Sequence, residues 1–314
     1  MLLATKLLRE RFLRADLSEA RRAYHPESLL SKPEHPQVVA NYIRRIILIC
    51  FIGKLIKFAR FFAALRMTVT KDIFNRTELL LGSDVMDVLS KARVIIFGVG
   101  GVGSWCAEGL VRSGIRKLTL VDPDEVSVTN INRQLMATTT TVGHPKVEVM
   151  RERLLDINPD AEITAMRAVY NADTAGGYDL DSYDYVIDAV DSLKNKILLI
   201  LNASSSKATF YCSMGAALKV DPRRVKIAEF WNVRGCPLGA MIRKKMRKAG
   251  TLPKKKFFCV YDDEVLPNLG KDGIVETDTF NKAQINGTTA PVTSIFGMML
   301  AGMVLEDIYK KCLK

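Results

Sequence analysis

The sequence predicts an α/β fold: a mostly parallel sheet with helices on both faces, followed by a smaller mixed C-terminal extension with an antiparallel part. Between residues 74 and 214, short apolar runs alternate with segments of helical length and period. Strands and helices that alternate in this way form right-handed crossovers and parallel sheets. A glycine-rich turn follows the first apolar run, and an aspartate ends the second. After Gly215 the alternation stops, which indicates that a differently built part begins there.

The elements of the first part follow from its apolar runs and from the residues that end them. Most runs are rich in Val, Ile and Leu without polar alternation, as expected of strands buried on both faces. Gly114 ends the first helix and Asn158-Pro159 ends the second, because glycine and proline terminate helices. We therefore predict strands at residues 94–97, 117–121, 161–167, 183–189 and 209–212, and helices at 104–113, 145–157 and 193–206.

The second part is less regular. Residues 262–284 are polar and weakly patterned, so we predict a mobile loop there. The other predicted elements are an antiparallel strand at 225–231, a basic helix at 239–249, a short strand at 257–261 and a strongly apolar closing helix at 293–311.

Charge is distributed unevenly along the 314 residues. Residues before Met67 carry 13 Lys/Arg against 5 Asp/Glu, and the remainder carries 33 against 29. Most of the net charge of +12 therefore lies in a basic leader, residues 1–66, and the globular part is only mildly basic.

Residues 43–65 of the leader are apolar and basic. Their longest uncharged run, residues 46–53, has 8 residues, whereas a helix that spans a membrane needs about 20. Three interpretations stay open: a basic amphipathic helix on an anionic membrane surface, an ordered arm, or an extension upstream of a natural start at Met67. We expect a cytoplasmic protein, with membrane association through residues 43–65 as an alternative.

The cysteines and histidines exclude several classes of site. The six cysteines form no C-x-x-C pair and none lies near a histidine, so neither a zinc ribbon nor a thioredoxin motif is expected. Scattered single cysteines suit a reducing compartment. Only His144 lies outside the leader, which leaves one poor candidate for a His-based triad. Cys236 and Cys259 are interpreted as fillers of small apolar gaps, with a chemical role as the alternative.

The turn after the first strand has the composition of a phosphate-binding loop. Gly98, Gly100, Gly101 and Gly103 allow close backbone approach, and the next helix presents free N–H groups. Asp122 ends the second strand, 19 residues after Gly103, where a carboxylate is expected on ribose hydroxyls. The alternatives are a turn made only for packing and a solvated aspartate. At this point a nicotinamide-dependent oxidoreductase fits equally well.

A polar and cationic cluster just past the second strand favours a triphosphate instead. Cations and amides beside a nucleotide can neutralise a departing pyrophosphate, which a hydride transfer does not need. A solvated helix face is the alternative. The cluster consists of Asn130, Asn132, Arg133 and Gln134, with Lys146 close behind.

These motifs resemble the adenylation domain shared by ubiquitin-activating enzymes and bacterial sulfur-carrier adenylyltransferases. The G-x-G-G-x-G turn, the acid, N-x-x-R, the lysine and D-A-V-D agree with that family in identity, order and spacing over about residues 74–214. The resemblance implies a Rossmann-like sheet, ATP as the nucleotide and a symmetric homodimer.

The same resemblance implies roles for individual residues. Asp191 would hold magnesium and ATP, and Arg133 and Lys146 would contact the phosphates. Arg76, in an N-terminal helix, would reach the ATP of a partner subunit. Asp188 either caps its strand and organises the site or binds the metal as well.

Within that family the sequence is similar to the tRNA threonylcarbamoyladenosine dehydratases. R-T-x-L-L-x-G, N-I-N-R-Q and C-P-L-G-A-M-I-R-K-K-M-R-K-A-G carry this similarity, and the paired C-x-x-C sites of the molybdopterin and thiamine branches are missing. The similarity implies an ATP-dependent ligase-type enzyme that adenylates the threonylcarbamoyl carboxylate of t6A in tRNA and closes it to cyclic t6A, releasing AMP and pyrophosphate. The alternatives are an enzyme that activates the C-terminus of a ubiquitin-like sulfur-carrier protein, and a dinucleotide-dependent oxidoreductase or degenerate scaffold. A sulfur-transfer protein is a further partner to consider.

We divide the chain into the leader and an adenylation domain at residues 67–314. The domain has a nucleotide-binding core at 74–214 and a C-terminal part at 215–314 that is expected to bind the tRNA. A basic patch in this part would bind phosphates with strong salt dependence, and a solvated basic face is the alternative. Its eight cations, without an acid between them, are Arg243, Lys244, Lys245, Arg247, Lys248, Lys254, Lys255 and Lys256.

Overall fold

The computed structural model describes residues 73–270 and 286–313, the backbone of two short strands between them, and the isolated positions 48 and 52. Contacts divide the chain into two units, Met1–Arg66 and Met67–Lys314. The three interpretations of the leader, including a membrane-surface helix at residues 43–65, fall outside the described residues and stay predictions.

A central sheet confirms the predicted fold class. Its strands are β1 (Arg93–Phe97), β2 (Lys117–Val121), β3 (Glu162–Met166), β4 (Tyr185–Asp188), β5 (Thr209–Ser213), β6 (Lys226–Glu229) and β7 (Phe258–Tyr261). Their order in the sheet is β3-β2-β1-β4-β5-β7-β6. Every neighbouring pair is parallel except β6 and β7, which are antiparallel as predicted.

The apolar run in β1 is explained by burial on both faces of the sheet. Val94 and Ile96 belong to one hydrophobic cluster, and Ile95 and Phe97 belong to the other. All four side chains are fully buried. Because successive strand residues point to opposite faces, a strand covered on both sides needs an apolar residue at every position.

Helices cover both faces of this sheet. They are α1 (Asn75–Leu81), α2 (Ser83–Lys91), α3 (Gly103–Arg112), α4 (Lys146–Ile157), α5 (Leu193–Ala203), α6 (Pro237–Ala249) and α7 (Ala290–Cys312). The helices α3 to α7 confirm the sequence prediction within three residues at their ends. The pattern does not predict α2, and only the family resemblance implies α1, because both are short and α1 buries none of its residues.

The long helix α7 belongs to the core. Within the described residues it is the one helix long and apolar enough to cross a membrane, but its Val292, Phe296 and Leu300 are fully buried in the main hydrophobic cluster. A Cβ at Gly297 would lie 2.4 Å from the carbonyl oxygen of Val102. The start of α7 therefore packs backbone to backbone against the start of α3, beside the glycine turn.

The C-terminal part differs from the prediction in two places. The strand predicted at 225–231 ends at Glu229, and Phe230–Asn232 forms a 3-10 helix. Residues 262–284, predicted as a mobile loop, contain the antiparallel strands β8 (Ile274–Thr277) and β9 (Asn281–Gln284). A loop over the whole interval is therefore wrong. The sequences I-V-E-T and N-K-A-Q lack the apolar run or regular alternation by which a strand is recognised.

Candidate functional site

The two outer glycines of the turn after β1 are required by packing. Gly98 has a φ of +89°, and a Cβ there would lie 2.5 Å from the carbonyl oxygen of Ala189. At Gly103 a Cβ would lie 1.8 Å from the carbonyl oxygen of Gly98. Any side chain at either position would displace backbone. The turn is therefore pressed tightly against the segment that follows β4.

The same turn is open beside Gly100. The nearest heavy atom to a Cβ built at Gly100 would be Nε2 of Gln134, at 3.8 Å. In the described part of the chain, no group accepts a hydrogen bond from the backbone N–H of Gly100, Gly101 or Val102. Free N–H groups just ahead of a helix N-terminus form a site for anions. The geometry suits the phosphates of a nucleotide.

Asp122, at the end of β2, holds the turn in place. Its Oδ2 accepts a hydrogen bond from the N–H of Val99 at 2.7 Å, and its Oδ1 accepts one from the N–H of Asp124 at 2.9 Å. The residue is 6% exposed, so it is not a solvated turn aspartate. Burial raises the pKa of Asp122, and the charge of Lys146 opposes that shift. A ribose hydroxyl would share this carboxylate with two backbone N–H groups.

The two asparagines hold backbone in position. Oδ1 of Asn130 accepts a hydrogen bond from the N–H of Ser127 at 3.1 Å and closes the short turn before it. Nδ2 of Asn132 donates to the carbonyl oxygen of Thr288 at 3.1 Å. This second bond ties the site to the segment that leads into α7. A direct contact of either asparagine with a nucleotide stays a prediction.

Arg133 lies beside the glycine turn and within electrostatic reach of Asp191. Its Cγ would lie 3.4 Å from a Cβ built at Gly101. Its Nη1 donates to the carbonyl oxygen of Thr129 and to Oδ1 of Asn132, both at 2.9 Å. Burial lowers the pKa of Arg133, and the charge of Asp191 opposes that shift. The fold therefore brings this predicted cation and this predicted carboxylate to one edge of the sheet.

Asp191 is an exposed carboxylate whose oxygens are free to bind a ligand. No described residue forms a hydrogen bond or ion pair with it, and the described chain contains no cluster of three His, Cys, Asp or Glu that could hold a metal. Magnesium needs only one or two protein carboxylates when substrate phosphates complete its coordination. The donor set therefore fits a magnesium ion that arrives with ATP, rather than a metal held by protein ligands alone.

Gln134 carries a buried acceptor without a partner. The residue is 6% exposed, and its Oε1 has no hydrogen-bond partner. Leaving such a group unsatisfied costs about 1–3 kcal/mol. Because the amide of Gln134 lies next to the open space over Gly100, a donor group on a bound ligand would offset that cost.

Lys146 forms an ion pair with Asp124, a residue that was not among the predicted site residues. Its Nζ donates to Oδ2 of Asp124 at 2.7 Å. The lysine side chain is 7% exposed and that of Asp124 is 61% exposed. An incoming phosphate would therefore compete with Asp124 for the ammonium group. The available signal was the D-P-D sequence after β2, in which a second acid follows Asp122 by two residues.

Asp188 is held in a closed, buried network. Its Oδ1 accepts hydrogen bonds from Nζ of Lys196 at 2.9 Å and from the N–H of Val190 at 3.0 Å. Its Oδ2 accepts one from Sγ of Cys212 at 3.2 Å. The two charged side chains are at most 1% exposed. Of the two roles that the sequence left open for Asp188, this geometry supports the organising one.

Arg76 lies apart from these residues, on α1. It is exposed, and no described residue pairs with it. Its neighbours Leu79 and Leu80 are 81% and 79% exposed, and α1 buries none of its residues. The helix therefore presents an apolar and cationic face, and action of Arg76 on a partner subunit's ATP stays a prediction.

The two candidate cysteines are buried. Cys236 is 2% exposed and Cys259 is 0% exposed. Neither thiol is accessible in this structure. Their burial supports the interpretation of both as fillers of apolar gaps.

The predicted basic run divides into two groups. Nη1 of Arg243 donates to the carbonyl oxygen of Phe230 at 3.1 Å, and Nζ of Lys255 donates to the carbonyl oxygens of Ser206 and Ala208, both at 2.6 Å. These two cations hold the fold. The exposed members are Lys244, Lys245, Arg247, Lys248, Lys254 and Lys256.

Comparison with known proteins places the chain in a family. The ThiF family matches residues 74–312. The tRNA threonylcarbamoyladenosine dehydratase of Bacillus subtilis is 37% identical over 243 residues, which are 76% of this chain and 94% of that protein. The Escherichia coli protein of the same name is 32% identical over 251 residues, 76% of this chain and 94% of that protein.

A solved structure and a more distant relative sharpen this placement. The crystal structure of the E. coli dehydratase, TcdA, in complex with ATP has a TM-score of 0.67 at 31% identity, and covers 76% of this chain and 95% of that one. The molybdopterin-synthase adenylyltransferase of Salmonella typhimurium is 36% identical, but only over 152 residues, 47% of this chain and 59% of that protein. The sulfur-carrier branch is therefore more distant. The chain belongs to the ThiF family, among the tRNA threonylcarbamoyladenosine dehydratases.

Proposed function

We propose that this chain is an ATP-dependent, ligase-type enzyme that adenylates the threonylcarbamoyl carboxylate of t6A in tRNA and closes it to cyclic t6A, releasing AMP and pyrophosphate. One observation carries the proposal. An open turn with free N–H groups lies beside Arg133, and Arg133 in turn lies within electrostatic reach of Asp191, which has no hydrogen-bond partner among the described residues. The relatives support the choice of substrate, because they are named for this tRNA modification and the E. coli protein binds ATP.

In the first step, an oxygen of the substrate carboxylate attacks the α-phosphorus of ATP and the bond to pyrophosphate breaks. The N–H groups of the turn and the guanidinium of Arg133 would stabilise the charge that grows on the phosphate oxygens. Magnesium held by Asp191 would act as a Lewis acid on those oxygens when it is bound. Lys146 would exchange Asp124 for a phosphate oxygen.

In the second step, a nitrogen of the same substrate arm attacks the acyl carbon. The bond from that carbon to AMP breaks, and the nitrogen loses its proton, so the arm loses the elements of water. Well-oriented intramolecular attack can lower a barrier by about 7–11 kcal/mol. The step needs no protein thiol, which agrees with the burial of Cys236 and Cys259.

The tRNA would lie on the exposed cations of α6 and of the loop after it. From Phe230 to Tyr261 the chain contains no Asp or Glu. Six of the cations in this stretch are exposed members of the predicted patch. Cations that contact backbone phosphates release counterions and give a binding constant that falls steeply with salt.

Further partners belong to the proposal. The exposed Leu79 and Leu80 of α1 support a homodimer in which Arg76 reaches the partner subunit's ATP. A cytoplasmic location is also proposed, and a tRNA substrate is consistent with it. A sulfur-transfer partner and a membrane contact through residues 43–65 stay predictions from the sequence.

Pyrophosphate–ATP exchange tests this function. We expect exchange that depends on magnesium and is stimulated by tRNA carrying t6A, but not by unmodified tRNA or by a ubiquitin-like sulfur carrier. Loss of one water from the modified nucleoside, measured by mass spectrometry, should accompany turnover. Exchange stimulated only by the carrier protein would overturn the proposal in favour of sulfur-carrier activation.

A further inference from the structure

The loop that carries Asp191 is held by hydrogen bonds from a buried lysine. Nζ of Lys196, on the first turn of α5, donates to Oδ1 of Asp188 and to the carbonyl oxygen of Val190, both at 2.9 Å. The Asp188 carboxylate also accepts the N–H of Val190 at 3.0 Å. Val190 is the residue next to Asp191. One ammonium group therefore joins the end of β4, the loop and α5.

The charges in this network are removed from water. Lys196 is 1% exposed and Asp188 is 0% exposed. Burial is the largest influence on the pKa of Lys196 and lowers it, but the charge and hydrogen bond of Asp188, together with Cys212 and Cys259, raise the pKa above its ordinary value. The lysine therefore stays cationic at neutral pH. It also neutralises Asp188, so that this carboxylate does not compete with Asp191 for a cation.

The hydrogen bond to the carbonyl oxygen of Val190 satisfies a second N–H of the buried ammonium group and at the same time binds the loop itself. The preceding residue of the loop is also confined, since the carbonyl oxygen of Ala189 lies 2.5 Å from the Cβ position of Gly98. The base of the loop is thus held on two sides, while Asp191 at its tip is exposed and unpartnered.

We propose that Lys196 is a positioning residue for Asp191: its ammonium group cross-links the Asp188 carboxylate to the Val190 carbonyl and so fixes the loop from which Asp191 reaches a magnesium–ATP complex. The inference rests on the proposed function for the role of Asp191. Groups that hydrogen-bond a metal ligand typically change metal affinity by about 10–100-fold, and Lys196 acts through the residue next to the ligand.

Magnesium titration of ATP binding, measured by calorimetry on the full-length chain, tests the inference independently of turnover. Lys196→Met removes the cation and keeps an unbranched side chain. It leaves Asp188 as an unpaired buried charge, which is strongly destabilising. The double variant Asp188→Asn/Lys196→Met removes both charges and keeps the test valid where the single variant fails to fold. We expect either variant that folds to raise the half-saturating magnesium concentration about tenfold or more.

Two control experiments distinguish a positioning role of Lys196 from a role in stability alone. Arg153→Met removes a cation from another buried acid, Glu108, whose Oε2 accepts from Nε of Arg153 at 2.6 Å. This variant should lower the melting temperature without changing the magnesium midpoint. In an Asp191→Ala background, the double substitution at 188 and 196 should add less than about twofold to the midpoint, because residues that act through one group are not additive.

Each outcome decides the inference. An unchanged midpoint in the folded double variant, or a full additional shift in the Asp191→Ala background, overturns the role of Lys196 and leaves the proposed function standing. An Asp191→Ala variant that binds magnesium–ATP normally removes the proposed role of Asp191, and the inference fails with it. A shift in the double variant that Asp191→Ala abolishes supports it.

Discussion

The nucleotide half of the sheet and the C-terminal half hold their charges in different ways. Around β1 to β4, two acids lie in buried, closed contacts: Asp188 with Lys196 at 2.9 Å and Glu108 with Arg153 at 2.6 Å. Around β6, β7 and α6 most cations are exposed. A buried pair in that half, Lys219 with Asp262, is longer at 3.9 Å, and the lysine donates its hydrogen bond to the carbonyl oxygen of Glu264 instead.

This difference corresponds to two kinds of binding. Stabilising the transition state of phosphoryl transfer requires charges whose positions are fixed before the substrate arrives. Binding a nucleic acid backbone requires cations that are solvated and can release counterions. On the proposed function, the half around β1 to β4, here called the rigid half, would carry the chemistry. The half around β6, β7 and α6, here called the adaptable half, would bind the tRNA.

The largest effects should come from the rigid half. Arg133→Ala and Asp191→Ala should each lower the kcat of pyrophosphate exchange by about 10²–10³. Arg133 supplies a preorganised positive charge at the phosphates, and Asp191 would hold the magnesium ion that supplies another. Arg93→Ala is the matched control: this arginine is exposed and begins β1, at the opposite end of that strand from the glycine turn. Turnover that survives either substitution in folded protein would end the assignment of this edge as the adenylation site.

Smaller effects on exchange are expected from substitutions at Lys146 and at its ion-pair partner Asp124. Lys146→Met should lower exchange by about tenfold to 100-fold, since it removes a cation that would contact phosphate. Asp124→Asn should cost less, because the 61%-exposed Asp124 side chain competes with the phosphate rather than assists it. Steady-state exchange over a range of ATP concentrations measures both variants. Equal losses would mean that Asp124 is needed to orient the lysine.

Much of the rigid half could be predicted from sequence, because its signals are local. A glycine turn, an acid at a strand end and a continuous apolar run each report a constraint within a few residues. Gly98 is a glycine because its φ is +89° and Ala189 lies against it. Asp122 and Arg133 were found in the same way, from their places after β2.

The pairing of charges could not be predicted, because it is decided by tertiary contacts. Nothing near Lys196 in sequence shows that it binds Asp188 rather than facing solvent, and a lysine on a helix is usually exposed. Likewise, the division of the basic run became visible only when Arg243 and Lys255 were found on backbone carbonyls. The helix α2 was missed because nine residues give too short a periodic signal.

The adaptable half should respond in affinity rather than in rate. Lys244→Gln/Lys245→Gln/Lys248→Gln should raise the KM for tRNA and leave kcat unchanged. The slope of the logarithm of the binding constant against the logarithm of the salt concentration should decrease in magnitude by about one for each lysine that contacts phosphate. Lys310→Gln/Lys311→Gln, which removes exposed cations from α7, is the control. An unchanged salt slope in the triple variant would leave the basic run as a solvated face.

The smallest expected effect concerns a surface ion pair of the adaptable half. Asp263 accepts hydrogen bonds from Nζ of Lys226 at 2.6 Å and from Nη2 of Arg224 at 2.7 Å. These two contacts lower its pKa to about 2, whereas an unfolded aspartate has a pKa of about 3.9. The folded pKa is the lower one, so the stabilisation is fully present above about pH 4 and is lost as the pH falls through about 2.

Asp263→Asn should therefore lower the melting temperature slightly at pH 7 and pH 5, and the difference from wild type should shrink by pH 3. Thermal unfolding at these three pH values measures the effect. A difference that stays constant with pH would mean that the charge of Asp263 does not cause it, and the Cβ contact with Gly235 could not cause it either, since asparagine keeps that Cβ. The contrast between the two halves would then rest on buried charge alone, because the exposed ion contacts of the adaptable half would add no pH-dependent stability.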